Sequence, residues 1–166
     1  MEEKLFFHEC RAAGKVFKTC EEWIAYVQEH KQTGSEVVAE HDGFQYNVND
    51  VCINPNVKAS YEIDNHYKWQ TKTAKTQYGW IWGYDITLNE SGSGCGAVYP
   101  SRYDNSAQFF ETENDALIDA LSFIIRQLEG KKPKTKNVNI LLWAAKNQRM
   151  DFKHPQLDLF SNQKLE

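Results

Sequence analysis

No Cys-x-x-Cys pair occurs among the four cysteines of the sequence, Cys10, Cys20, Cys52 and Cys95. Their wide spacing argues against a zinc ribbon and against the dense disulfide framework of a small secreted domain. No apolar run approaches the roughly 20 residues that a membrane-spanning helix needs, and no leader-like segment opens the chain. These absences predict a reduced, cytoplasmic protein with no membrane contact, whose core forms without metals or bridges. The closing Leu165-Glu166 reads as an expression-vector scar.

Catalytic signatures are equally scarce. The chain has no HExxH, no GxSxG, no GxxxxGK followed by Ser or Thr, and no GxGxxG in a dinucleotide-binding context. Its histidines, His8, His30, His41, His66 and His154, do not stand at metal-ligand spacing. His8, Cys10, Cys20 and Cys52 would form a zinc site only if the fold gathered them, and buried free thiols beside a surface histidine explain them as well. The glycine-rich stretch SGSGCG, residues 91–96, lacks the following helix and Lys of a phosphate cradle, so it reads as a hairpin loop between two strands. The sequence thus points to a protein that is not an enzyme and uses no metal or cofactor.

What is present is a core and a charge asymmetry. Of the 166 residues 41% are hydrophobic and 13% aromatic, enough for one sizeable core or two small ones. Residues 1–129 carry 11 Lys and Arg against 20 Asp and Glu, whereas residues 130–166 carry 8 against 3. An acidic body with a basic end argues against a broad DNA-binding face on the body, and leaves a weak nucleic-acid contact to the basic end.

Periodicity predicts an α+β fold of antiparallel strands with two principal helices and a flexible C-terminal tail. The first helix is expected over residues 19–34, with Thr19 and Glu22 as a capping box and Gly34 as its stop, after a short strand at GKVF. Asp42-Gly43 suits a two-residue hairpin turn, and Phe44, Tyr46 and Val48 alternate with polar residues. The clearest strand is YGWIWGYDITL, residues 78–88, whose even positions Tyr78, Trp80, Trp82, Tyr84, Ile86 and Leu88 form the expected buried face. After SGSGCG comes a short strand, AVYP. The clearest helix then starts with Thr112 and Asp115, carries the stripe Leu117, Ile118, Leu121, Ile124, Ile125 and Leu128, and stops at Gly130. The segments leading into the two helices share an aromatic, a capping Thr and an acidic first turn. A repeat with halves 1–56 and 57–129 would explain this, and so would ordinary helix-start chemistry.

The body is therefore placed at residues 1–129. Residues 130–153 are expected to be a basic linker with a short helix, Ile140, Leu141, Ala144 and Ala145 sharing one face, or a segment that begins as a strand. Residues 154–164 form the tail. The aromatic ladder Tyr78, Trp80, Trp82 and Tyr84, with Lys68, Lys72 and Lys75 before it, would suit a platform for single-stranded nucleic acid, but a strand needs one apolar face for its own core, and packing is the favoured role.

The tail contains Gln156, Leu157, Asp158, Leu159 and Phe160. This stretch resembles the five-residue bacterial sliding-clamp-binding motif, Gln-Leu-(Ser or Asp)-Leu-Phe, at every position. Chance would produce such a match in roughly one of several thousand chains of this length. The resemblance implies that Leu159 and Phe160 fill a hydrophobic pocket between two clamp domains and that Gln156 binds at the rim of a neighbouring subsite. The alternative is that Leu157 and Leu159 pack on the body as an edge strand. The glycine-interrupted aromatic strand, the second strand and the Phe-x-Thr-x-x-x-Ala-Leu helix start resemble phage and mobile-element proteins of unknown function, and also the strand-strand-helix module of HicB-type antitoxins. The expected function is that of a non-enzymatic accessory protein, phage- or mobile-element-encoded, docking on the replication sliding clamp. A single-stranded nucleic-acid-binding module and an antitoxin-like regulator are the alternatives.

Overall fold

In the computed structural model, which describes residues 21–22, 25, 37–47, 51–98, 109–132 and 134–154, the Asp42-Gly43 dipeptide makes the expected reversal. Both residues have positive φ, 48° and 82°, the conformation that matches the twist of a two-residue hairpin. The turn joins β1 (Val37–His41) to β2 (Phe44–Asn47), which pair as a two-stranded antiparallel sheet. Tyr46 is buried and its hydroxyl donates to the Lys75 carbonyl at 2.7 Å, fastening this hairpin to the main sheet.

The main sheet is antiparallel in the order β3 (Ser60–Asp64), β4 (Tyr67–Thr76), β5 (Gly79–Leu88) and β6 (Ser91–Cys95). Its centre is the β4–β5 pair, in unbroken register from Tyr67 opposite Leu88 to Thr76 opposite Gly79. Side chains alternate across a strand, so this register gathers Trp69, Thr71 and Thr73 with Ile86, Tyr84 and Trp82 on one face. Ala74 and Ile81 oppose each other on the other face.

Two helices cover the first face. Helix α1 (Glu113–Glu129) is capped by Thr112, whose hydroxyl accepts from the Asp115 N–H at 3.1 Å. Glu113 ties this end of the helix to the sheet, accepting from Thr73 at 2.7 Å and from Asn56 at 2.9 Å. Gly130 closes the helix in right-handed conformation, φ −74°, rather than as a left-handed glycine cap. Helix α2 (Lys136–Lys153) runs antiparallel to α1, cross-linked by Asn114 to the Phe152 carbonyl at 3.0 Å, Arg149 to Ser122 at 3.3 Å and Lys146 to Glu129 at 2.7 Å. Leu121, Ile124, Leu128 and Leu141 meet Trp69 and Ile86 in one cluster of buried residues, each large apolar side chain contributing about 1.5–3 kcal/mol of burial. The segment expected as a linker with a short helix is thus an 18-residue helix inside the main core. Its small inner residues, Ala144 and Ala145, are buried in the same cluster. Neither described helix is long and apolar enough to cross a membrane.

The second face holds a smaller cluster of Tyr46, Cys52, Ala74, Ile81 and Ala97. Two expectations are corrected here. First, β5 does not have one buried and one polar face: Ile81 at an odd position is buried, while Trp80 and Trp82 are half-buried. The physical reason is that the β1–β2 hairpin and the chain around Cys52 and Ala97 cover the far side. Second, SGSGCG is not a loop. The turn before it contains Asn89, with φ 58°, and Ser91–Cys95 pair with β5 from Leu88 to Tyr84. The glycines serve close approach. After β6 the chain crosses over Gly83, where an added Cβ would stand 2.3 Å from the Gly96 carbonyl carbon. Beyond that crossing the Cys52 N–H donates to the Ala97 carbonyl at 2.8 Å, and Val51 bridges Val98.

Among the described residues the fold is therefore α+β: two antiparallel sheets of two and four strands, the larger covered on one face by α1 and α2. Of the first expected helix, Glu21, Glu22 and Ala25 are helical. The rest of that helix, GKVF, Val48 and the end of AVYP lie outside the described residues. Replacing Gly83 by Ala should destabilise the protein by about 1–3 kcal/mol, because backbone rather than a flexible side chain occupies the space. Urea unfolding should show a lower midpoint with unchanged slope; an unchanged midpoint would mean that the crossing is not tight.

Candidate functional site

Gln156, Leu157, Asp158, Leu159 and Phe160 lie outside the described residues. Helix α2 is pinned by the Asn114 bond to Phe152, its last N–H bond runs from His154 to the Met150 carbonyl at 2.9 Å, and Gln156 follows two residues later.

Of the aromatic ladder, Trp82 and Tyr84 pack against α1, whereas Tyr78, expected on the buried face, is exposed ahead of β5. The Trp82 Nε1–H donates to Asp119 Oδ2 at 2.9 Å. Its ring centroid lies 5.4 Å from that of Phe123, which also stacks at 4.7 Å on Tyr84 and lies under the Arg126 guanidinium at 5.7 Å. Burial pushes the Tyr84 phenol above its ordinary value. Trp80 meets Phe44 edge to face at 5.8 Å. Packing partners thus occupy these rings, which the aromatic pair geometry itself favours. Lys72 and Lys75, expected beside the ladder, pair with Asp85 at 2.6 Å and Asp42 at 2.7 Å.

Where β6 and β3 flank the other side of the central strands, an open polar cleft of about 610 Å³ forms. Lys68, Gln70, Lys72, Asp85 and Thr87 line it, with the glycine-rich β6 as one wall. Asp85 accepts from Gln70 at 2.6 Å and pairs with Lys72. Gly94 leaves room for it, since a Cβ there would stand 2.3 Å from Asp85 Oδ1. The cleft therefore neutralises its own central charges and presents hydrogen-bonding groups. Sequence reasoning missed it because the charged positions of β4 and β5 face each other only once the register is known.

A second feature escaped the sequence reading. Trp143 is 64% exposed on α2 although Leu141, two positions earlier, is fully buried. Two residues are about 200° of helix rotation, so the orientation of Leu141 dictates that of Trp143. Lys136, Asn139, Ile140 and Trp143 enclose a shallow cavity of about 600 Å³. The 3.6-residue spacing of Lys136, Ile140 and Trp143 was a usable signal, once α2 is recognised as a long helix.

His8, Cys10 and Cys20 of the suggested zinc set lie outside the described residues. Cys52 belongs to the second core cluster, and its thiol donates to Asn54 Oδ1 at 3.5 Å. Comparison with protein-family models, curated proteins and solved structures finds no match to this chain.

Burial raises the Cys52 thiol above its ordinary pKa, leaving less thiolate at neutral pH, whereas Cys95 is exposed on β6. Iodoacetamide near neutral pH should therefore modify Cys95 in the native protein and reach Cys52 only after urea unfolding, as read by peptide mass mapping. Equal native labelling of the two would place Cys52 outside the core.

Proposed function

We propose that this protein is a non-enzymatic accessory factor that docks on a bacterial replication sliding clamp through its C-terminal peptide, in the cytoplasm where that clamp works. The observation that carries this reading is the complete match of Gln156-Leu157-Asp158-Leu159-Phe160 to the clamp-binding motif. Support comes from its placement, two residues past a helix whose inner face is part of the main core. The resemblance of the aromatic strand and the α1 start to phage and mobile-element proteins supports an origin in such an element.

The energetics suit a tether. Burial of two or three apolar side chains in the clamp pocket contributes about 5–8 kcal/mol, less the cost of ordering the peptide, which corresponds to micromolar affinity. Leu159 and Phe160 are the anchors and Gln156 the orienting contact. Replacing Leu159 and Phe160 together by Ala should abolish clamp binding in calorimetry without lowering the thermal midpoint, and Asp158→Ser should bind as well as the parent. No binding of the intact chain at about 100 µM clamp, far above the expected dissociation constant, would reject the assignment. A fall of several degrees in the midpoint of the double variant would instead assign the anchors to the body, since about 1 kcal/mol moves the midpoint of a domain this size that far.

A further inference from the structure

The outer face of α2 and the loop before it combine two features that the clamp peptide does not use. One is Trp143, a large aromatic ring 64% exposed at the centre of a helix whose opposite face is buried. The other is the stretch Gly130 to Lys136, which carries Lys131, Lys132, Lys134 and Lys136 and no acidic residue. Lys136 joins the two, since it shares a cavity with Asn139, Ile140 and Trp143. Seven residues separate Lys136 from Trp143, about 10 Å along the helix.

These lysines are not satisfied within the body. Among the described residues, no carboxylate lies within the 4.0 Å ion-pair distance of any of the four. The nearby carboxylate, Glu129, is held by Lys146 at 2.7 Å, which draws its pKa below the ordinary value, with Lys134 acting on it more weakly. Residues 1–129 are acidic as a whole, whereas the seven residues 130–136 carry four lysines, the last of which lines the cavity with Trp143.

We infer that this face binds single-stranded nucleic acid, with a base stacked on Trp143 and phosphates held by Lys131, Lys132, Lys134 and Lys136. An exposed indole stacks on any unstacked base, and flanking lysines track the backbone. A duplex keeps its bases stacked and offers Trp143 nothing to stack on. A protein partner is the poorer fit, because protein interface cores are depleted in Lys, whereas here Lys136 lines the same cavity as the ring. Asn139 supplies an amide within that cavity, suited to a base edge or a sugar hydroxyl. This site is separate from the clamp peptide, and neither reading requires the other.

Fluorescence anisotropy of the full-length protein with labelled oligothymidylate and oligouridylate of about 20 nucleotides tests the inference. With three or four phosphates neutralised, affinity should fall about 20- to 50-fold between about 50 and 200 mM salt. Trp143→Ala should weaken binding at least about fivefold at low salt, with an unchanged thermal midpoint, and Trp143→Phe should recover most of the loss. Changing the four lysines to Gln should flatten the salt dependence. The Leu159→Ala, Phe160→Ala protein should bind the oligonucleotides like the parent, so a failure of the clamp reading would leave this result intact. Three results would overturn the inference: no binding at about 100 µM protein in low salt, binding indifferent to Trp143→Ala, or equal binding of a duplex.

Discussion

The indole of Trp69 holds the two layers of the main core together. It is fully buried on β4, sits opposite Ile86 of β5, and its Nε1–H donates to the Leu141 carbonyl of α2 at 3.1 Å. A buried indole N–H without a partner would lose the desolvation cost of that group, so the bond sets where along the sheet α2 can lie and how it is rotated. From that rotation the rest follows. Leu141, Ala144 and Ala145 turn inward, Trp143 turns out, and the helix ends at His154.

The two faces of the main sheet differ in what covers them. Its helix-facing side is closed by Trp69, Ile86, Trp82 and Tyr84 against α1 and α2. The other side is divided: Ala74 and Ile81 are covered by the hairpin, and Lys68, Gln70, Lys72 and Asp85 remain in an open cleft. The boundary is the place where the chain crosses Gly83. The basic segment from Gly130 to Lys136 joins α1 to α2.

Much of this was legible in the sequence, for identifiable reasons. Asp42-Gly43 announced its hairpin because few residues accept two positive φ angles in succession. Thr112 with Asp115 announced α1 because an N-cap bond is local. The stripe of α1 was readable because one face of it is uninterrupted Leu, Ile and Ala. The alternation of β5 was readable, but its burial was not: nothing local tells that a distant hairpin covers Ile81. SGSGCG read as a loop because its glycines are locally permissive, and only the close passage over Asp85 and Gly83 reveals why a strand needs them. The length of α2 escaped because Asn139, Asn147 and Gln148 interrupt its pattern, and its inner face is made of small residues. The resemblance of residues 156–160 to the clamp-binding motif is a matter of five consecutive residues and needs no fold to be seen, whereas the face around Trp143 depends on the rotation of α2.

On the proposed reading, clamp recognition resides in the peptide that follows α2 in the sequence and not in the body. The measurement that addresses it most directly is competition: a synthetic peptide of residues 154–164 against the full-length protein for a purified sliding clamp. The account predicts complete displacement, with peptide and protein affinities agreeing within about threefold, since burial of the same side chains supplies the binding energy in both. A full-length protein that binds the clamp and is not displaced by the peptide would contradict it.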